Sequence, residues 1–108
     1  MKNGLYLAQF CVQGAHTHGV VNLADNEIAG GDSHHWWTGK VTEGEEGALC
    51  ADLTVRQHVP GSDGMVFGYF NSMSMALTGR RVGDATQFDG QTMVGRPMQM
   101  NLRPLHLT

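Results

Sequence analysis

Charge is scarce in this sequence. Charged residues make up 16% of the 108 residues, below the roughly one quarter that is usual for soluble domains. The 7 basic residues are scattered and outnumbered by 10 acidic ones, whereas a DNA- or RNA-binding surface needs clustered cations. We therefore expect no direct binding of nucleic acid, and a surface so poor in charge favours self-association.

Long apolar runs are also missing. None approaches the ~20 residues of a membrane-spanning helix, and the segment after Met1 lacks the apolar core of a signal peptide. These features predict a cytoplasmic protein without a membrane span. Without a secretion signal, Cys11 and Cys50 are predicted to be reduced, buried thiols of low reactivity rather than a disulfide.

Helical periodicity is absent over any stretch of ten residues, whereas alternation of apolar and polar residues recurs. Glycine occurs 15 times along the whole chain and marks turns, as do Asp25-Asn26 and Asp89-Gly90. Residues 66–72 fit a helical turn across one barrel mouth. The predicted strands cover residues 5–12, 17–24, 27–30, 36–42, 48–56, 73–78, 85–88 and 98–103.

Eight short strands with turns every ~8–12 residues are typical of a barrel or a sandwich. We predict one all-β domain over residues 1–108, an antiparallel up-and-down barrel of about eight strands. Such a barrel has an interior that side chains can fill or that can hold one small ligand.

Short glycine-based motifs follow one another in a characteristic order. They are Gly4-Leu5-Tyr6, Gly30-Gly31-Asp32-Ser33, Trp37-Thr38-Gly39-Lys40, Phe67-Gly68 and Leu77-Thr78-Gly79-Arg80. In this order they resemble the GrlR-like family of bacterial proteins, named for a negative regulator of type III secretion genes. The resemblance implies a lipocalin-like eight-stranded barrel that forms a homodimer.

The resemblance also implies a function for one loop. The founding regulator sequesters a transcriptional activator through an exposed Glu-Asp-Glu-Asp patch, and the matching loop here reads Glu43-Gly44-Glu45-Glu46. It thus implies a small bacterial regulatory protein that binds an activator through Glu43, Glu45 and Glu46. Judged from the residues alone, three carboxylates at a hairpin tip either attract a basic surface or keep the hairpin soluble.

The alternative function is the binding of a small apolar ligand inside the barrel. Methionine adapts to irregular apolar cavities, although ordinary core filling explains the same residues. Trp37, in phase with Gly39 and Val41, is predicted to point inward, and Trp36 to lie at an interface or a mouth. The predicted cavity residues are Trp37, Met73, Met75, Leu77, Met98 and Met100, with Met93 in the same methionine set.

Signals for catalysis are weak, and we predict no enzyme activity and no cofactor. Ser33 precedes His34, but adjacency in sequence does not build a catalytic triad. Asp32 follows two glycines, a position that favours capping of free backbone N–H groups.

The remaining histidines do not form a recognisable metal site. His16 and His18 share one face of a strand, a geometry that suits a transition metal. No further ligand stands at a familiar spacing, so we predict no metal site. We interpret these two histidines, with His34 and His35, as surface residues that confer at most pH sensitivity.

Overall fold

Eight antiparallel strands close into a barrel in the computed structural model, which describes residues 1–59 and 72–105. Each strand pairs with its neighbours in sequence, and β1 pairs with β8 to close the sheet. The predicted eight-stranded up-and-down barrel is therefore confirmed. The strands are β1 (Gly4–Val12), β2 (Ala15–Ala24), β3 (Glu27–Gly31), β4 (His35–Glu43), β5 (Leu49–Gln57), β6 (Ser72–Val82), β7 (Ala85–Gln91) and β8 (Pro97–Pro104).

Turns of two residues join several of these strands. Asp25 and Asn26 both have positive φ, 51° and 69°, as a tight hairpin with a type I′ turn requires, so the predicted turn is confirmed. The turn predicted at Asp89-Gly90 is wrong, because both residues lie inside β7. Gly90 there packs against β6, where an added Cβ would lie 2.4 Å from Leu77 Cδ2.

The ambiguous segment 66–72 is only partly described. Ser72 begins strand β6, which extends to Val82, beyond the predicted end at residue 78. The rest of the predicted helical turn, residues 66–71, lies outside the described residues. Within residues 1–59 and 72–105, no helix is long and apolar enough to cross a membrane.

Period-2 alternation places one face of every strand in a single apolar core. Strand β5 shows it most clearly, since Leu49, Ala51, Leu53 and Val55 are all buried. At the centre, the Trp37 ring lies 4.6 Å from the ring of Phe10 at an interplanar angle of 45°. Trp37 is 0% exposed, which confirms that it points inward.

Inward-facing glycines make room for these large side chains. A Cβ added to Gly19 would lie 2.1 Å from the carbonyl oxygen of Gly31 and 2.9 Å from Trp37 Cη2. Neither distance is compatible with a real Cβ atom, so only glycine lets β2 approach β3 and the indole ring this closely. Glycines at such positions allow a closed sheet to bend sharply.

We expect Gly19→Ala to destabilise the barrel. The added methyl group overlaps backbone, which cannot move aside as a flexible side chain can, so the cost is about 1–3 kcal/mol or more. Gly44→Ala is the matched control, because its nearest neighbours would lie at 3.8 Å and its φ of −102° suits alanine. Urea unfolding of both variants measures the difference, and equal midpoints would contradict this account of the close approach.

Candidate functional site

The acidic loop, Glu43 to Glu46, lies between β4 and β5 at one mouth of the barrel. A short 3₁₀ turn, Glu45–Gly47, builds it, and Glu46 adopts a left-handed φ of 59°. Backbone hydrogen bonds hold the loop, since Gly44 N–H donates to Ala48 O at 2.7 Å and Ala48 N–H donates to Glu45 O at 3.1 Å. The loop therefore presents its carboxylates from a hydrogen-bonded frame.

The three carboxylates of this loop differ in their surroundings. Glu43 Oε1 accepts a hydrogen bond of 2.6 Å from the Met1 amino group and lies 3.9 Å from Arg81 Nη2. The hydrogen bond and the charge of that amino group lower the pKa of Glu43. Glu45 and Glu46 are exposed and take part in no ion pair with residues 1–59 or 72–105. Two negative charges thus remain available to a partner.

The residues predicted to line a ligand cavity are brought together, but as core. All six belong to one hydrophobic cluster, in which Met75 is the most exposed at 5%. They are Trp37, Met73, Met75, Leu77, Met98 and Met100. The prediction for Met93 is wrong, because this side chain is 58% exposed near the turn between β7 and β8.

Met100→Ala distinguishes a packed core from a ligand cavity. Met100 is 0% exposed, and truncation of a packed methionine costs about 2–5 kcal/mol because the transfer energy is lost and a void is left. Met93→Ala, on the exposed methionine, should change the free energy of unfolding by less than about 0.5 kcal/mol. Chemical denaturation measures both, and a cost for Met100→Ala as small as that of the control would contradict the packed core.

The two adjacent tryptophans have opposite environments. Trp36 is 41% exposed on the outer face, where the Arg56 guanidinium lies 5.0 Å from the ring centroid. This distance is suitable for a cation–π contact. Trp36 therefore lies on the face of β4 opposite to Trp37, and its place at an interface stays a prediction.

A buried polar corner at the other end of the barrel was not predicted as a unit. Asp32 Oδ1 accepts hydrogen bonds from the backbone N–H groups of His34 and His35, at 2.8 and 2.6 Å, which confirms the predicted cap. Its Oδ2 accepts a 2.6 Å hydrogen bond from the Thr17 hydroxyl on β2. His58, just beyond β5, lies with Nε2 2.9 Å from Asp32 O. Asp32 therefore ties β2 and the residues after β5 to the β3–β4 connection.

His35 contradicts the interpretation of a surface histidine, because its side chain is buried. It is the first residue of β4, and the strand's phase turns it inward together with Trp37. Burial lowers the pKa of His35, the Asp32 carboxylate 3.6 Å away opposes this, and His34 and His58 lower the pKa further. Burial raises the pKa of Asp32, but the hydrogen bonds from Thr17 and the backbone outweigh it, so that pKa is lowered.

The lowered pKa of His35 predicts that acid destabilises the fold. The unfolded chain takes up the proton near pH ~6.5, whereas the folded protein takes it up only at lower pH. The free energy of unfolding should therefore decrease as pH falls below about 6.5 and level off below the folded pKa. Asp32 does not contribute to the pH dependence of stability in this range. Its pKa is lowered, so the carboxylate is protonated and its stabilising hydrogen bonds are lost only at still lower pH.

Urea unfolding between about pH 7.5 and 5.5 measures this dependence. His35→Gln removes the titrating group, so its free energy of unfolding should change less over the range than that of the parent protein. His18→Gln, an exposed position on β2, is the control and should keep the parent slope. An unchanged slope in His35→Gln would contradict the assignment.

The cysteines also differ from their prediction. Both are free, but Cys50 is exposed and Cys11 is half-buried, because the alternate residues of β5 and β1 occupy the core. His16 lies opposite Cys11 in the register, and the Nε2 and Sγ atoms are 4.0 Å apart. In the described part of the chain, no three His, Cys, Asp or Glu side chains are grouped so that they could hold a metal ion.

Comparison with known proteins bears on the fold alone. No known family matches this sequence, and no curated protein is similar to it. Among solved structures, a redesigned β-barrel is similar, with a TM-score of 0.52 and 12% sequence identity over 96% of this chain and 91% of that one. The likeness supports an eight-stranded closed barrel as the class of structure, and it carries no information about function.

Proposed function

We propose that this protein is a protein-binding module that acts through the acidic loop. The observation that carries the proposal is the exposure of Glu45 and Glu46 on a hydrogen-bonded turn, without a cationic partner among residues 1–59 and 72–105. Such a pair of carboxylates, with Glu43 beside them, attracts a basic surface and orients it before contact. The residues predicted to line an interior site belong to one buried apolar cluster, which favours binding on the outside.

The partner that fits this loop is a transcriptional activator. A DNA-binding protein carries a basic surface, which complements exposed carboxylates. The resemblance of the glycine motifs to the GrlR-like family supports the same partner and a role as a small negative regulator in the cytoplasm. The protein itself acts without catalysis and without contacting nucleic acid, in keeping with its net charge of −3.

A homodimer is part of the proposal and is supported by an apolar patch on the outer face. In the register, Gly31 of β3 lies between Val20 of β2 and Trp36 of β4. Because glycine has no side chain, nothing separates the side chains of Val20 and Trp36 on the outer face. Val20 is 45% and Trp36 41% exposed. Exposed apolar clusters of this kind favour association. Sedimentation equilibrium measures the mass, and a monomer at all concentrations would contradict the dimer.

The interior ligand is the weaker alternative. A cleft of about 410 Å³ at the mouth is lined by the start of the chain, the β6–β7 connection and the end of β8, including Lys2, Arg81 and Leu105, and not by the methionine set. The six residues that would line an interior site all belong to one buried hydrophobic cluster. Packing therefore favours the outer surface as the binding region.

Charge reversal of the loop tests the proposed function. In Glu45→Lys/Glu46→Lys the attraction becomes repulsion, so capture of the activator from cell extract should fall by at least about tenfold, that is, by about 1.4 kcal/mol or more. The double variant Glu27→Lys/Asp84→Lys changes the net charge equally and should retain capture. Bound proteins are identified by mass spectrometry, and circular dichroism establishes that both variants fold.

Two results would contradict the acidic loop as the docking site. One is equal capture of the same activator by both double variants. The other is capture that does not weaken as salt is raised, because an exposed electrostatic contact is screened over about 10 Å at 0.1 M ionic strength.

A further inference from the structure

The outer face carries a second polar cluster near the end of the barrel opposite the acidic loop. Strand register places His16, Cys11 and Gln99 side by side on β2, β1 and β8. All three point outward, because the alternate residues of β1, Phe10 and Val12, fill the core. Directly opposite residues keep their Cβ atoms within about 5.5 Å, so the thiol and the imidazole are held as neighbours by the backbone itself.

The side chains of Cys11 and His16 lie close to each other. Cys11 Sγ lies 4.0 Å from His16 Nε2, and in the tautomer protonated on Nδ1 the Nε2 atom accepts a proton. Asp89 lies one strand beyond Gln99 along the same row. The arrangement is that of a thiol beside a general base, the pairing that activates cysteine nucleophiles.

A cleft of about 340 Å³ adjoins this thiol. Its lining is dominated by carboxamides, each of which offers both donors and acceptors and thereby matches a peptide group. They are Gln9, Gln87, Gln99 and Asn101.

We propose that Cys11 is a thiol modification site that forms a mixed disulfide with a small peptidic disulfide bound in this cleft. His16 Nε2 takes the Cys11 proton, and the thiolate attacks one sulfur of the disulfide. A new S–S bond forms on Cys11 as the original S–S bond breaks, so the Cys11 sulfur is oxidised and the departing half is reduced. The departing thiolate takes a proton from the imidazolium.

Cys50 provides an internal comparison. It is the more exposed of the two thiols and lies between Thr42 and Thr78 in the register, without an imidazole opposite. Accessibility alone would make Cys50 the faster thiol, whereas the proposal makes Cys11 the faster one. The two explanations therefore predict opposite orders of reactivity.

The experiment compares single-thiol variants with glutathione disulfide as the probe. Mass spectrometry follows the rate of glutathionylation of Cys50→Ser, which retains Cys11, and of Cys11→Ser, which retains Cys50. We expect Cys11 to react on the order of tenfold faster than Cys50. This is less than the ~10²–10⁴-fold rate acceleration that a positioned general base gives in an enzyme.

Histidine variants in the Cys50→Ser background distinguish the effect of His16 as a base from a general effect of changing a histidine on β2. His16→Gln should reduce the Cys11 rate about tenfold. His18→Gln should leave that rate unchanged, since His18 lies opposite Gln9 rather than Cys11. Thermal unfolding establishes that each variant is folded.

A second disulfide tests the cleft. Hydroxyethyl disulfide lacks peptide groups, so the advantage of Cys11 over Cys50 should be smaller with it than with glutathione disulfide. The proposal is overturned if Cys50 reacts as fast as Cys11, or if the two histidine variants behave alike. An equal advantage with both disulfides would overturn the role of the carboxamides.

Discussion

The packing of Trp37 against glycine on the neighbouring strands is the contact on which this barrel depends. A closed sheet of eight strands encloses little space, and an indole ring fits into it only where the facing backbone carries no side chain. Gly19 provides that space, since a Cβ there would overlap both Gly31 and the indole. With the ring in place and packed against the tilted ring of Phe10, β1 to β4 are held around a common centre.

The buried apolar cluster takes in four of the five methionines that suggested a ligand site. Met73, Met75, Met98 and Met100 contribute their flexible side chains to the same core as the aromatic and branched residues. One mouth carries the exposed carboxylates of the acidic loop, and the other carries the buried corner of Asp32 and His35.

The carboxylates at the two ends of the barrel lie in different environments. At Asp32 the charge is enclosed and satisfied by backbone N–H groups and a hydroxyl, so it organises the connection between β3 and β4. At Glu45 and Glu46 the charge is solvated and has no cationic partner in the described part of the chain, so it remains available for recognition. Environment thus separates a carboxylate that organises the backbone from carboxylates that stay exposed to solvent.

The sequence by itself determined the strands and their inward faces, because a period of two is a local property that each strand carries in its own residues. The alternation of Leu49 to Val55 and the inward position of Trp37 were predictable in this way. Local signals failed where a distant strand decides the outcome. Asp89-Gly90 lies in a strand because the two residues pair with Gln99 and Met98 of β8.

Only the tertiary structure decided which side chains meet. Cys11 and His16 become neighbours through the register of one hairpin, and Gln99 joins them only when β8 closes the barrel on β1. His35 is buried because β4 begins one residue before the predicted strand and thereby places His35 in phase with Trp37. Pairing between strands distant in sequence is a property of the closed sheet, and for that reason the polar clusters on this barrel could not be predicted from the sequence.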